Sequence, residues 1–474
     1  MLAVSIICYL LVTILIGFWA SRYVKNPEDF ILAGRSLPLP LAASAMFATW
    51  FGSETVLGST SEFVQHGLIG VVEDPFGAAL CLFLVGIFFA RPLYRMKILT
   101  FGDFYKIKFG RKAELIASLF LVPSYFGWIA AQFVAIGLIL NVVLGVPLSI
   151  GMVSGSVVVL LYTYIGGMWS ISITDFLQTV IIICGLIFLA VNMGKDAGGV
   201  SKVVANAPEG FFKFTPDFSY TSIVHYLTAW ITIGLGSIPQ QDVFQRVMAA
   251  KSEKVSVQAS YTGGFMYLTI GFIPLFIALC SKQLYPELLA GDPQLMIPNA
   301  VKAHANILLQ ILFFGALLSA IMSTSSGAIL APASILAENI IKPMLKETND
   351  KQMLKILRVS VIVVAIFSLI MANMDSNIYD LVAMSSAFSL VSLFVPMLAG
   401  LYWSTFSEKA AILSMLLGMT TWLIFEVFPI ETPSILLGLI ASFMGLIIGK
   451  FLPEAAEKKR ERKQTEHAQS PNRS

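Results

Sequence analysis

The sequence predicts an all-α integral membrane protein that crosses a bilayer about 13 times. Three observations carry this prediction. Of its 474 residues, 57% are apolar and only 12% are charged, with a mean hydropathy of +0.81. A soluble domain carries about 25% charged residues, so there is too little polar surface here to cover a water-soluble globule. Apolar runs of the length a spanning helix needs, roughly 20 residues, recur along the chain with short charged links between them. These runs, 181–191 for example, lack the alternation that the ~10-residue strands of a membrane β-barrel would show.

The spans fall near residues 2–22, 38–66, 70–92, 113–143, 147–166, 171–193, 222–247, 256–281, 302–338, 357–374, 377–404, 409–428 and 434–451. The first has neither a basic leader nor a small-residue cleavage site and reads as a retained helix. An odd number places the termini on opposite sides. With the N-terminus outside, only Lys195, Lys202, Lys213, Lys282 and Lys302 of the 31 Lys and Arg face outward. The rest, Arg246 among them, fall in cytoplasmic segments, as the positive-inside bias requires. The expected location is therefore the plasma (inner) membrane, with a cytoplasmic C-terminus. Residues 1–451 read as one transmembrane domain and 452–474 as a basic, disordered tail. Segment 94–112 mixes apolar and basic residues as an interfacial helix does. Cys8, Cys81, Cys184 and Cys280 lie in apolar runs without CxxC spacing and read as buried small hydrophobes. No nucleotide-binding loop, kinase signature or zinc-ligand cluster occurs. The expected partner is the lipid bilayer, with no enzyme activity and no nucleic acid.

Two spans read badly as straight helices. The second contains Ala48-Thr-Trp-Phe-Gly-Ser-Glu54 and the seventh Gly234-Leu-Gly-Ser-Ile-Pro239. An isolated glycine in a membrane helix is usually there for close packing. Here the breaks lie five spans apart, so spans 2–6 and 7–11 each begin with a broken helix. That is the pattern of an inverted five-plus-five repeat with a midplane site (core repeats about 38–193 and 222–404). Ionisable residues at membrane depth are costly and mark function. Glu54 lies deep in span 2, and Asp175 about a turn into span 6. Glu73, Asp74 and Asp380 fall near span ends and read as solvated. In span 9, Ser319-Ala-Ile-Met-Ser323-Thr324-Ser325-Ser326 is a dense hydroxyl cluster. Such hydroxyls can simply bond back to their own helix. Facing a broken helix, they can instead offer neutral oxygens to a hard cation such as Na⁺.

Three segments resemble motifs of the sodium:solute symporter family: Phe30-Ile-Leu-Ala-Gly-Arg-Ser36, Tyr164-Ile-Gly-Gly-Met-Trp-Ser-Ile-Ser-Ile-Thr-Asp175, and Ala320-Ile-Met-Ser-Thr324. The resemblance runs over essentially the whole chain. It implies a leucine-transporter-type (LeuT) fold with extra helices, importing a small organic solute with Na⁺ by alternating access. It also implies a sodium site made of the Ala48, Phe51 and Ala320 carbonyls with the Ser323 and Thr324 hydroxyls. Some members bind a second Na⁺, for which Asp175, Ser323 and Ser326 match, but Gly327 stands where a hydroxyl is expected. Within the family the likeness is to the choline-transporter branch and to sodium/proline symporters. Trp50 and Trp128 would then wall the solute site by cation–π contact, with Gln240 in place of a third tryptophan. Ser53 and Glu54 beside Trp50, Gln132 beside Trp128, and Gln241 complete the candidate solute-binding set. An amino acid such as proline, a choline- or betaine-like solute, and a small carboxylate all remain open as cargo. So do a transporter-like sensor and a proton-coupled carrier using Asp175 or Glu54.

Overall fold

The computed structural model describes residues 1–345, 347–374, 377–403 and 406–452. All but the first residue of the expected tail lies outside them. The chain opens with α1 (Leu2–Ala20) and the half-helices α2 (Leu39–Ala48) and α3 (Ser59–His66). Next come α4 (Ala78–Leu84), α5 (Ala90–Met96), the short α6 (Phe101–Lys108), and the long α7 (Arg111–Leu144) and α8 (Leu148–Asp196). A second bent pair follows, α9 (Tyr220–Gly236) and α10 (Gln241–Ala249), then α11 (Glu253–Ile270), α12 (Phe272–Leu284) and α13 (Ile307–Ile335). The last elements are α14 (Asp350–Ala372), α15 (Ile378–Ser389), α16 (Val395–Tyr402), α17 (Glu408–Val427) and α18 (Ser434–Lys450).

Helix starts follow from local chemistry. The side chains of Ser219, Ser252, Asn306 and Ser407 each accept a hydrogen bond from the backbone N–H three residues on, at the first turns of α9, α11, α13 and α17. Thr100 with Asp103, and Asn349 with Gln352, close reciprocal capping boxes at α6 and α14.

Among the described residues, nine helices are long and apolar enough to cross a membrane, or ten with the bent α9–α10 pair taken as one span. The expected count of about 13 divides the stretches Glu54–Met96 and Leu148–Asp196 into two crossings each and adds the shorter α18. One of the nine is α8, whose 49 residues would reach about 74 Å if straight, more than twice a bilayer core of about 30 Å. It turns at Gly167, where φ is +50° and ψ −145°.

The interior is built on α7 and α13, buried nearly all round. The α13 helix lies along both α7 and α8, α15 and α14 pack on α7, and α2 packs on α11. The first helix rests on α8 and leaves most of its surface outward. Cys81 and Cys280 are buried as expected, but Cys8 and Cys184 are exposed. They sit on helix faces turned away from the interior, where an apolar side chain costs nothing in lipid.

The two half-helices α2 and α10 are pinned together. Leu37 N–H donates to the Ala249 carbonyl and Lys251 N–H to the Leu37 carbonyl, both at 3.0 Å. Arg246 adds a third link, donating from Nε to the Ala45 carbonyl at 2.8 Å and from Nη1 to the Asp242 carbonyl at 3.1 Å. Arg246, counted among the cytoplasmic cations, is not at the surface. It is 1% exposed, held by carbonyls of both broken spans and facing the carboxylates of Asp242 and Asp175.

A Cβ on Gly167 would meet the Phe30 carbonyl at 2.5 Å and the Phe30 ring at 2.7 Å, in a backbone region closed to other residues. Gly167→Ala should therefore cost about 1–3 kcal/mol, read as a fall in Tm of the purified protein. Gly315→Ala, with open space at its Cβ position, should leave Tm within error of the parent.

Candidate functional site

The first break occupies residues 49–52, a non-helical turn between the end of α2 and a wide π-type turn at Glu54–Gly58. Its freed backbone groups are met by side chains from three directions. Thr324 Oγ1, on α13, donates to the Ala48 carbonyl at 3.2 Å. Gln132 Oε1, on α7, accepts from Ser53 N–H at 3.3 Å. Thr49 Oγ1 bonds back to the Ala45 carbonyl at 2.8 Å. The turn approaches α13 so closely that a Cβ on Gly52 would lie 2.5 Å from Thr324 Oγ1 and 3.0 Å from Gln132 Oε1. Glycine at this position is what lets the two elements touch.

The hydroxyl cluster divides its attention. Thr324 faces the broken span, whereas Ser323 Oγ donates to Asp175 Oδ1 on α8. Asp175 is fully buried, and its other oxygen, Oδ2, has no hydrogen-bond partner among the described residues. Ser326 and Ser325 bond back within α13, to the Ser323 and Ile321 carbonyls at 2.9 and 2.5 Å. Ala320 and Phe51 are completely buried, with the Phe51 ring stacked on Phe47 at 4.6 Å between centroids. The result is a concentration of neutral oxygens around Ala48 and Thr324 with one carboxylate beside it. Among the described residues no three His, Cys, Asp or Glu come together, so the soft or multiply charged ligand sets of zinc and other transition metals are not offered. Gly327 has a steric reason. A Cβ there would collide with the Arg246 guanidinium, which fills the place of the side chain.

Between the broken spans lies a narrow cavity of about 10 Å³, room for about one water, so its walls must part to admit a solute. Trp50, Glu54, Trp128 and Gln240 line it. Ser53 and Gln132 stand behind Glu54 and orient it. Glu54 accepts from Gln132 Nε2 at 2.9 Å, Trp128 Nε1 at 3.1 Å and Ser53 Oγ at 3.4 Å. Gln240 donates from Nε2 to Ser389 Oγ at 3.3 Å. Gln241 is not brought to the cavity; its Oε1 accepts from Phe101 N–H at 2.6 Å.

Sequence reasoning missed Asp74, which read as solvated near a span end. It is 1% exposed and lines the cavity. Thr55 Oγ1 and Tyr267 OH donate to it at 2.9 and 2.8 Å. The signal was Pro75. A residue before proline is driven out of helical geometry, and Asp74, at φ −141° and ψ 120°, leaves its helix there and turns inward. The serines that line the far wall were also missed. Ser237 and Ser386 share a hydrogen bond of 3.1 Å across the second break.

Comparison with known proteins bears on the family and the fold. A family model described as the sodium:solute symporter family matches residues 30–418. A human high affinity choline transporter is 25% identical over 84% of this chain and 72% of its own. The osmoregulated proline transporter OpuE of Bacillus subtilis is 27% identical over 93% and 94%. Among solved structures, a Na⁺-coupled sialic acid symporter in its outward-open state superposes with a TM-score of 0.82 at 20% identity, over 95% of this chain and 96% of that one. MhsT in complex with L-phenylalanine gives 0.55 at 13%, over 87% and 97%. The fold is accordingly that of the leucine-transporter-type carriers.

Crowding at Gly52 yields a test. Gly52→Ala should push the broken span off Thr324 and cost about 1–3 kcal/mol, read as a fall in Tm of the purified protein.

Proposed function

The chain belongs to the sodium:solute symporter family, and from that premise we propose that it imports a small organic solute by coupling it to inward movement of Na⁺. The observation that carries this reading is the contact of Thr324 with the Ala48 carbonyl, beside the Ser323–Asp175 pair. In the proposal Na⁺ replaces that hydrogen bond. It is held by the carbonyls of Ala48, Phe51 and Ala320 and by the hydroxyls of Ser323 and Thr324. Sodium is a hard ion, and five neutral oxygens replace its water without the desolvation cost of burying extra charge. A Na⁺ bound there ties the broken span to α13, so its affinity differs between states that open and close this seam. That difference in affinity is what couples the ion to the conformational change. The solute occupies the cavity walled by Trp50, Trp128, Glu54 and Gln240. The relatives' names give choline and proline as cargo, so family membership alone leaves the solute open. A second Na⁺ at Asp175, Ser323 and Ser326 is disfavoured, because Arg246 already presents a positive charge at Gly327.

The proposed setting is the plasma membrane, with the N-terminus outside and the α2–α10 junction, rich in Lys and Arg around it, facing the cytoplasm. The unpartnered Oδ2 of Asp175 favours one further reading, a carrier that takes a proton there.

The double variant Ser323→Ala with Thr324→Ala should raise the Na⁺ concentration for half-maximal uptake by tenfold or more in proteoliposomes. Unchanged sodium dependence would falsify the symporter assignment. Uptake driven by a pH gradient in sodium-free buffer would move the assignment to the proton.

A further inference from the structure

The cavity holds two carboxylates and no cation. Glu54 and Asp74 are 2% and 1% exposed, and both line it. Their spacing is set by one stretch of backbone. Glu54 is followed by Thr55, and Thr55 Oγ1 is bonded to Asp74. All their donors are neutral: an indole, an amide, hydroxyls and a phenol. No Lys, Arg or His lines the cavity. The buried guanidinium of Arg246 serves Asp242, Asp175 and the Ala45 carbonyl instead. Hydrogen bonds orient a carboxylate but do not neutralise it, and two uncompensated negative charges at membrane depth are costly.

The surroundings narrow what can supply the missing charge. Trp50 and Trp128 present indoles to the same space, and an indole face attracts an organic cation. Gln240, Ser237 and Ser386 on the opposite wall are polar and uncharged. Next to Asp74, Glu73 carries a buried Oε2 with no hydrogen-bond partner among the described residues, and Asp380 acts on it electrostatically. A more open hollow is lined by Glu73. A solute carboxylate would add negative charge beside these two groups, which disfavours small carboxylates as cargo. A single quaternary ammonium would balance one carboxylate only, and it has no N–H to give either.

We propose that the solute is a small organic diammonium ion, one nitrogen held between Glu54 and the indoles of Trp50 and Trp128 and the other on Asp74. This rests on the reading of the cavity as the solute site of a symporter. Each nitrogen meets a carboxylate whose remaining lone pairs accept its N–H groups, and charge-assisted bonds of this kind are the stronger sort. Compounds with one charge satisfy half of the site.

The test is thermal stabilisation of the full-length purified protein in nanodiscs, with and without NaCl. The probes are 1,4-diaminobutane, 4-amino-1-butanol, choline, proline and succinate. In NaCl, 1,4-diaminobutane should stabilise at a concentration at least tenfold below that of the monoamine or choline, and proline and succinate should give no shift. Asp74→Asn should weaken the diamine at least tenfold, to the level of the monoamine, while leaving the monoamine and the shift due to Na⁺ alone unchanged. Stabilisation by proline, choline or succinate at lower concentration than the diamine overturns the proposal, and the unsubstituted protein alone decides this if the variant does not fold. Equal loss of diamine and monoamine in Asp74→Asn also overturns it, as does loss of the Na⁺ shift in a folded variant, since the carboxylates would then serve the ion. A diamine shift that is the same without Na⁺ keeps the solute class and overturns the coupling instead.

Discussion

Backbone polarity inside a bilayer is the constraint on which the rest of this structure depends. Lipid offers no hydrogen bonds, so a helix can unwind at membrane depth only where protein or cargo meets its carbonyl and N–H groups. At residues 49–52 the meeting is done by side chains from two other helices, Thr324 of α13 and Gln132 of α7. Most residues of those two helices are buried. The packed interior therefore presents the groups that complete the break. A contact made this way is exchangeable, because an ion that offers the carbonyl a better partner than a neutral hydroxyl can displace it. In the proposed mechanism, structural repair and ion binding are the same chemistry at the same place.

The distribution of buried charge follows from that arrangement. Arg246 lies where the half-helices α2 and α10 are joined, and it bonds to a carbonyl of each. A guanidinium with five donors can hold two unwound ends at once, which a point charge on a lysine would do poorly. The acidic groups near it, Asp242 and Asp175, are thus compensated within the protein. Glu54 and Asp74, on the other side of the break, are not. One side of the site is internally balanced and the other is left for something that arrives from solution.

Legibility in the sequence tracked how local each signal was. The two breaks were visible because glycine, proline and serine announce the loss of helix at their own positions. The hydroxyl cluster was visible as a run, and Trp50, Glu54 and Trp128 as types unusual at such depth. Asp74 was misplaced because its distance from the span end suggested solvent. Only the turn at Pro75 and the reach of Tyr267, 193 residues away, put it inside. Gln240 and Gln241 are adjacent and chemically identical, yet one faces the cavity and the other bonds to Phe101. Nothing in the order of residues separates them.

Composition and patterning thus determined that the chain is a bundle of apolar helices, where two of them break, and which oxygens lie near the breaks. These are properties of single segments, fixed by transfer energies and by backbone preferences a few residues long. The rotation of each helix about its axis was decided only when all of them packed. Rotation chooses which of Ser323 and Thr324 faces Ala48 and which faces Asp175, whether Arg246 reaches lipid headgroups or the interior, and that two carboxylates end in one cavity. It depends on the summed contacts of every neighbour, and no segment of the chain carries that information by itself.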